Sequence, residues 1–382
     1  MSPARSSANS AHDRFTAVYQ IIGGRNEALS RAKDICLEQT VEFPDELIGP
    51  GLVRDHIIGR VESIAPTAPD RFTVDISYAV EIAAGELTQL INVLFGNISI
   101  KPGIRLIDLR LPDSLLAMVK GPRFGRNGLR ALLNVNNRPL LCTALKPMGT
   151  PAEELAAMAY TFAMGGIDII KEDHGLTNQP FAPFEKRVEL CAKAITRANA
   201  ATGLRCMYAP NISAPAHEIM SRARFAKEAG AAGLLVAPGI VGLDTMRMIA
   251  EADGVALPIL SHPAFQGTYV INQDQGISHG VLFGLLNRLA GADAAIYPNY
   301  GGRFSFIQEE CRSIVDACNA PLGRIKPILP APAGGMALKR VPELRAFYGN
   351  EAIFLIGGGL LTHGPDVAEN CREFVRMVSN PN

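Results

Sequence analysis

Tryptophan is absent from the 382 residues, and aromatic residues make up only 6% of them. Net charge is missing as well. Lys and Arg total 37 and so do Asp and Glu, so no global field recruits nucleic acid or an anionic membrane. There is no long Lys/Arg run, and no basic patch interleaved with aromatics. No apolar run reaches the roughly 20 residues that span a bilayer. Residues 1–13 are small and polar and lack the apolar segment of a secretory signal, so they read as a frayed tail. The seven cysteines are odd in number and scattered, with no CxxC and no metal-ligand spacing. Buried reduced thiols in a cytoplasmic protein are the expectation. What the chain does have is 48% hydrophobic residues with 36 Gly and 26 Pro, the composition of a compact α/β enzyme.

The pattern divides near residue 120. Residues 14–120 read as an α+β block. Strands are expected over 15–22, 59–64, 71–78 and 104–111, and helices over 26–38 and 87–95, with a turn-rich 65–70. Residues 121–138 read as a linker. From 139 to 382 short apolar strands alternate with amphipathic helices. Strands are expected over 139–146, 167–173, 204–210, 233–238, 257–262, 294–298, 325–330 and 352–356. Helices are expected over 152–164, 184–200, 216–229, 243–251 and 277–290. Eight such units predict a TIM (β/α)8 barrel. An open doubly wound sheet fits less well, because no GxGxxG follows the first strand.

In a barrel the chemistry sits at the C-terminal strand ends. The second strand ends Lys171-Glu172-Asp173-His174. Alternation puts Lys171 and Asp173 on one face and Glu172 on the other. The set is either a Lys171–Asp173 ion pair without metal or a working site. Lys171, Asp173 and His174 suit a hard divalent cation only if Lys171 carries a carbamate, because Mg2+ prefers oxygen ligands. Lys146, between Leu145 and Pro147 at the first strand end, is expected to be buried and able to move protons. His262 ends the fifth strand as a hydrogen-bonding group or a base. Arg303, in the glycine-flexed Tyr300-Gly-Gly-Arg303, is either solvated or closes over an anionic substrate. Gly334-Gly335 and Gly357-Gly358-Gly359 follow the last two strands. Bare backbone N–H groups there favour a phosphate over a simple tight turn.

Together these segments resemble the large subunit of ribulose-bisphosphate carboxylase, and more closely its non-carboxylating relatives, the RuBisCO-like proteins of form IV. The resemblance covers nearly the whole chain. It rests on residues 138–147 (RPLLCTALKP), 165–173 (GGIDIIKED), 179–181 (QPF) and 355–359 (LIGGG), and on Glu38-Gln39-Thr40 and Phe95-Gly96-Asn97. It implies an N-terminal α+β ferredoxin-like domain before the barrel and a cytoplasmic homodimer with shared active sites. Each subunit would hold one Mg2+ on carbamylated Lys171, with Asp173 and His174 as further ligands. Lys146 would move the substrate proton, and His262 would contact substrate. Glu38, Thr40 and Asn97 would complete the partner's site. Gly334, Gly335, Gly358 and Gly359 would hold substrate and phosphate.

Departures from the carboxylase pattern point away from CO2 fixation. His174 stands where the family has a glutamate ligand, Met148 where it has a second lysine, Pro263 where it has a phosphate-binding arginine and Ala333 where it has a serine. Ile296 takes the place of the strand-six histidine, and Arg303 that of the mobile-loop lysine. What remains is enolate chemistry on a phosphorylated keto sugar or keto sugar acid. Arg303 favours a substrate carboxylate, hence decarboxylation or transcarboxylation with hydrolysis of a compound such as 3-oxo-isoapionate 4-phosphate. The alternatives are 5-methylthioribulose 1-phosphate isomerisation, 2,3-diketo-5-methylthiopentyl 1-phosphate enolisation, or a catalytically inactive sugar-phosphate-binding protein.

Overall fold

The computed structural model describes residues 13–379. The expected tail, apart from Asp13, lies outside them. The chain forms two compact units.

The first unit comprises the residues through Lys120, joined by Gln266–Leu282 and Pro321–Ile325. Strand β1 (Arg14–Ile22) leads to the helix Arg25–Glu38, then to β2 (Arg60–Ala68) and β3 (Arg71–Ala79). The helix Leu87–Phe95 and β4 (Ile104–Arg110) follow. The strands lie in the order β4-β1-β3-β2, all antiparallel. This is the ferredoxin-like βαββαβ arrangement. Alternation on β3 buries Phe72, Val74, Ile76 and Tyr78. The Tyr19 hydroxyl donates to the Leu94 carbonyl at 2.7 Å and ties the second helix to the sheet. The expected turn over 65–70 is shorter than its composition suggests. Strand β2 runs to Ala68 despite Pro66, as an edge strand allows.

The second unit is the barrel. Its first strands are β5 (Leu140–Leu145), β6 (Ile169–Glu172), β7 (Met207–Ala209), β8 (Leu234–Val236) and β9 (Ile259–Ser261). The next strand, β10 (Gly276–Ile277), belongs to the first unit and pairs parallel with β4 at Arg105 and Leu106. Barrel strands β11 (Ala294–Pro298), β12 (Leu329–Ala333) and β13 (Ile353–Leu355) complete the set. Parallel ladders run β13-β5-β6-β7 and β8-β9-β11-β12. A bridge between Asn211 and Leu235 joins the two at one seam. Inside, Leu140, Ile169, Leu260, Ile296 and Ile353 share one core. Each fully buried aliphatic chain contributes about 1.5–3 kcal/mol.

Three further expectations change. The segment 121–138 is more than a linker. It holds the helix Gly125–Leu133, and Leu129 and Leu133 are buried in the barrel core. The seventh strand starts at Leu329 rather than 325 and pairs with β11 alone. Pro330 and Pro332 lack the N–H groups that a ladder toward β13 would need. The helix expected over 277–290 begins late, as helical turns over Gly280–Leu286 and Asn287–Leu289. Gly276 has φ +104°, and a Cβ there would lie 2.1 Å from the Tyr269 carbonyl oxygen, so only glycine fits the preceding β10.

Candidate active site

The C-terminal end of β6 sorts its ionisable residues by strand alternation. Lys171 follows Ile169 on the inner face and is 3% exposed. Its Nζ donates to the Glu172 carbonyl at 2.9 Å. Burial, the largest influence, lowers the Lys171 pKa, while Asp173 opposes the shift. Glu172 points outward and is fully buried. Its carboxylate takes the Arg187 guanidinium at 2.6 and 3.1 Å, the Tyr208 hydroxyl at 2.5 Å and the Asn211 N–H at 3.0 Å. Arg187 also donates to the Ala182 and Thr177 carbonyls. Asn211 donates to the His174 and Leu176 carbonyls. The loop after β6 is thus held from behind by two buried side chains.

Asp173 is where the front of the site converges. Its Oδ1 meets the Lys146 Nζ at 3.0 Å and the His174 Nδ1 at 3.1 Å. Burial alone would raise the Asp173 carboxyl, but the His174 hydrogen bond and the Lys146 ion pair outweigh it and hold the group well below the usual carboxylate range. His174 lies against His262, with ring centroids 4.2 Å apart and planes 16° apart. Burial, then the nearby Lys171 and His174, push the His262 pKa well below 6.5. His262 is therefore a neutral imidazole. The Ala264 N–H donates to its Nδ1 at 3.2 Å, which leaves Nε2 as the proton-bearing nitrogen. Lys146 is less buried than expected, with about a third of its side chain exposed.

Lys146, Lys171, Asp173, His174 and His262 therefore come together. Met148, on the loop after β5, packs against the loop after β6, since a Cβ at Gly175 would meet its methyl at 2.5 Å. Arg303 is exposed and stacks over Phe304 at 5.1 Å, and it makes no ion pair among the described residues. Its loop rests on the glycines after β12. A Cβ at Gly335 (φ +84°) would lie 2.8 Å from the Arg303 nitrogen, and one at Gly334 (φ +80°) 2.9 Å from the Phe304 ring. Gly358 opens the short helix Gly358–Leu361 into free space, whereas Gly359 packs against the Met336 carbonyl. In the first unit the Asn97 amide donates to Glu38 at 3.0 Å, and Lys101 reaches the same carboxylate at 3.2 Å. Thr40 instead turns its hydroxyl to the Cys36 carbonyl at 2.7 Å.

Among the described residues no three His, Cys, Asp or Glu side chains are grouped to hold a metal ion. The Asp173 carboxylate takes the His174 N–H, the His174 ring and Lys146 all on Oδ1. The donor set fits Mg2+ only with a carbamate on Lys171 beside Asp173. A buried amine with a lowered pKa is the form that reacts with CO2. Arg187 is the residue that sequence reasoning missed. It shares a helical face with Phe184, Val188 and Cys191, so a charge there demanded a buried partner.

The family model of the ribulose bisphosphate carboxylase large chain, catalytic domain, matches residues 126–371. The chain is 41% identical to ribulose bisphosphate carboxylase-like protein 1 of Rhodopseudomonas palustris, over 96% of this chain and 98% of that one. It is 40% identical to the 5-methylthioribulose-1-phosphate isomerase of Rhodospirillum rubrum, over 96% of each. The crystal structure of a Rubisco-like protein from Rhodopseudomonas palustris superposes with a TM-score of 0.87 at 39% identity, covering 96% of this chain and 97% of that one. With the barrel, the N-terminal domain and this strand-end cluster, the chain belongs to the RuBisCO large-chain family, among the RuBisCO-like proteins of form IV.

Proposed function

We propose that this protein is an enzyme that moves a proton at the carbon beside the carbonyl of a phosphorylated keto sugar. The observation that carries this reading is the Lys146–Asp173 pair at 3.0 Å beside a neutral His262. Lys146, oriented by Asp173, exchanges a proton with the substrate. The proton on the His262 Nε2 hydrogen-bonds the oxygen that becomes an enolate. Lys171, as its carbamate, together with Asp173 and His174 would hold Mg2+. The bound ion supplies charge stabilisation for the enolate oxygen. Gly334, Gly335, Gly358 and Gly359 would receive the phosphate and its neighbouring oxygens. In a homodimer, Glu38 and Asn97 would serve the partner's site, with Thr40 beside them.

The first substrate to test is 5-methylthioribulose 1-phosphate, because the isomerase relative aligns over 96% of both chains. Expected is proton exchange with solvent and an isomerised product, both lost in Lys146→Ala. Turnover unchanged in that variant refutes the assignment. The observation favouring decarboxylation or transcarboxylation with hydrolysis of a 3-oxo-isoapionate 4-phosphate-like acid is Arg303, a planar cation on the loop that rests on Gly334 and Gly335. Under that reading CO2 or a carboxylated product appears, and Arg303→Ala raises KM for the acid. Neither reading includes net carboxylation of ribulose bisphosphate.

A further inference from the structure

The chain after β12 and the helix Val341–Tyr348 hold the stem of the Arg303 loop residue by residue. The Asn299 N–H donates to the Ala333 carbonyl at 2.7 Å, and the Tyr348 hydroxyl donates to the Asn299 side-chain oxygen at 2.5 Å. The Arg340 Nη1 donates to the Tyr300 and Gly301 carbonyls at 3.1 and 3.2 Å. Its guanidinium lies over the Tyr300 ring, 5.3 Å from the centroid. Gly301 turns at φ +61°, and a Cβ on it would meet the Arg340 Nη2 at 3.2 Å. A Cβ on Gly302 would lie 2.1 Å from the Gly334 carbonyl oxygen. Beyond this stem Arg303, Phe304 and Ser305 are exposed.

The plainest role for Arg340 is its pair with Glu343 across the first turn of that helix. The Arg340 Nε and Nη2 meet the carboxylate at 3.1 and 2.8 Å. The Glu343 side chain is half-exposed, so the pair itself adds little to stability. What the pair does is orient the fork. With two nitrogens on the carboxylate, the planar guanidinium presents Nη1 at a fixed angle, toward the two carbonyls of the stem. Among the contacts to the stem, these two are charge-assisted and therefore the stronger ones. The stem needs such a grip, because Gly301 and Gly302 leave its backbone otherwise free to turn. A cation at the tip of a free stem loses entropy when it meets a ligand. One on a clamped stem has already lost it.

We propose that Arg340 is a positioning residue: by clamping the Tyr300–Gly301 stem it pre-organises Arg303 for the anionic end of the substrate. The role of Arg303 rests on the decarboxylation or transcarboxylation reading, whereas the clamp is tested without substrate. All seven cysteines are buried, so a nitroxide attached to Arg303→Cys reports on that one position. In the full-length protein Arg340→Met narrows the spectrum of this label. In the chain that keeps Arg303, the same change lets trypsin cleave after Arg303 about tenfold faster, the loss expected of one charge-assisted hydrogen bond. Cleavage at other sites and the urea midpoint stay as in the wild type. A label spectrum unchanged by Arg340→Met overturns the proposal. So does faster cleavage at every site with a lowered urea midpoint, which marks a merely structural pair. In turnover of the phosphorylated keto acid, Arg340→Met raises KM, and it adds nothing in an Arg303→Ala background. Additive effects overturn the proposal too. An unchanged KM in Arg303→Ala instead refutes the reading of the site, and the label still decides the clamp.

Discussion

His174 and His262 lie ring on ring, 4.2 Å between centroids. One ring follows Asp173 after the end of β6, and the other belongs to the first residue after β9. Burial is the largest cause of the depressed His262 pKa, and His174 adds to it. Replacing His174 with Ala removes the smaller influence and keeps the larger one. The His262 titration then moves upward yet stays below 6.5. Proton NMR of the imidazole C–H signals follows it, and an unmoved His262 signal would mean that the stack carries no electrostatic coupling.

Magnesium binding is expected to depend on CO2. Lys171 is 3% exposed and its amine is held toward the neutral form by burial. A depressed pKa means that the uncharged amine is present at lower pH than for a free lysine, so carbamate accumulates as pH rises through that lowered value. Calorimetry in bicarbonate-containing buffer detects Mg2+ binding that is absent in CO2-free buffer. Carbon-13 NMR with labelled bicarbonate shows a carbamate signal that Lys171→Ala lacks. Equal Mg2+ affinity with and without CO2 refutes the carbamate.

The barrel was legible in the sequence because its strands are short apolar runs set between amphipathic helices, and the helices over 152–164 and 243–251 fall where periodicity places them. The front of the site was legible too, since Lys146, Lys171, Asp173 and His262 are polar residues at the ends of apolar strands. What escaped depends on partners distant in the chain. The helix Gly125–Leu133 starts where the Asp293 carboxylate accepts the Phe124 and Gly125 N–H groups at 2.8 and 2.6 Å, across about 170 residues. Strand β10 has only two residues and owes its existence to β4. Arg187 looked like an ordinary helix residue until Glu172 was found against it.

Breaking the Arg187–Glu172 pair is costly. Both side chains are fully buried. Arg187→Met leaves a buried carboxylate without its countercharge, at about 3–5 kcal/mol. The double change Arg187→Met with Glu172→Leu removes both charges and is less destabilising than the single one. Urea unfolding measures both. A double variant weaker than the single one would mean that the Tyr208 and Asn211 bonds to Glu172 dominate.

Gly335 controls how the Arg303 loop is seated. Its φ of +84° disfavours any side chain, and a Cβ would lie 2.8 Å from the Arg303 nitrogen. Gly335→Ala lifts the loop away. Trypsin then cleaves after Arg303 several times faster than in the wild type, as timed digestion and mass spectrometry report. Unchanged cleavage would mean that the loop is already free of Gly335 in solution.

Asp293 makes the barrel's stability depend on pH in an unusual direction. The residue is 1% exposed, and burial pushes its carboxyl up to about 6 from 3.8, against the lowering influence of three backbone hydrogen bonds and Lys326. The folded protein therefore holds this proton more tightly than the unfolded chain. Between about pH 4 and pH 6 the folded state binds more protons, so stability from this group falls as pH rises through that window. A displacement of about two units corresponds to about 3 kcal/mol, complete above the folded value. Asp293→Asn cannot titrate, and it carries a constant cost from facing an amide toward the Ile259 or Gly125 N–H. Urea unfolding of both proteins at pH 4.5 and pH 7.5 isolates the group. The wild type's advantage over Asp293→Asn shrinks by about 2 kcal/mol at the higher pH, because pH 4.5 already lies above the carboxyl's ordinary value of 3.8. A difference independent of pH would place the Asp293 pKa back near that of a solvated carboxylate.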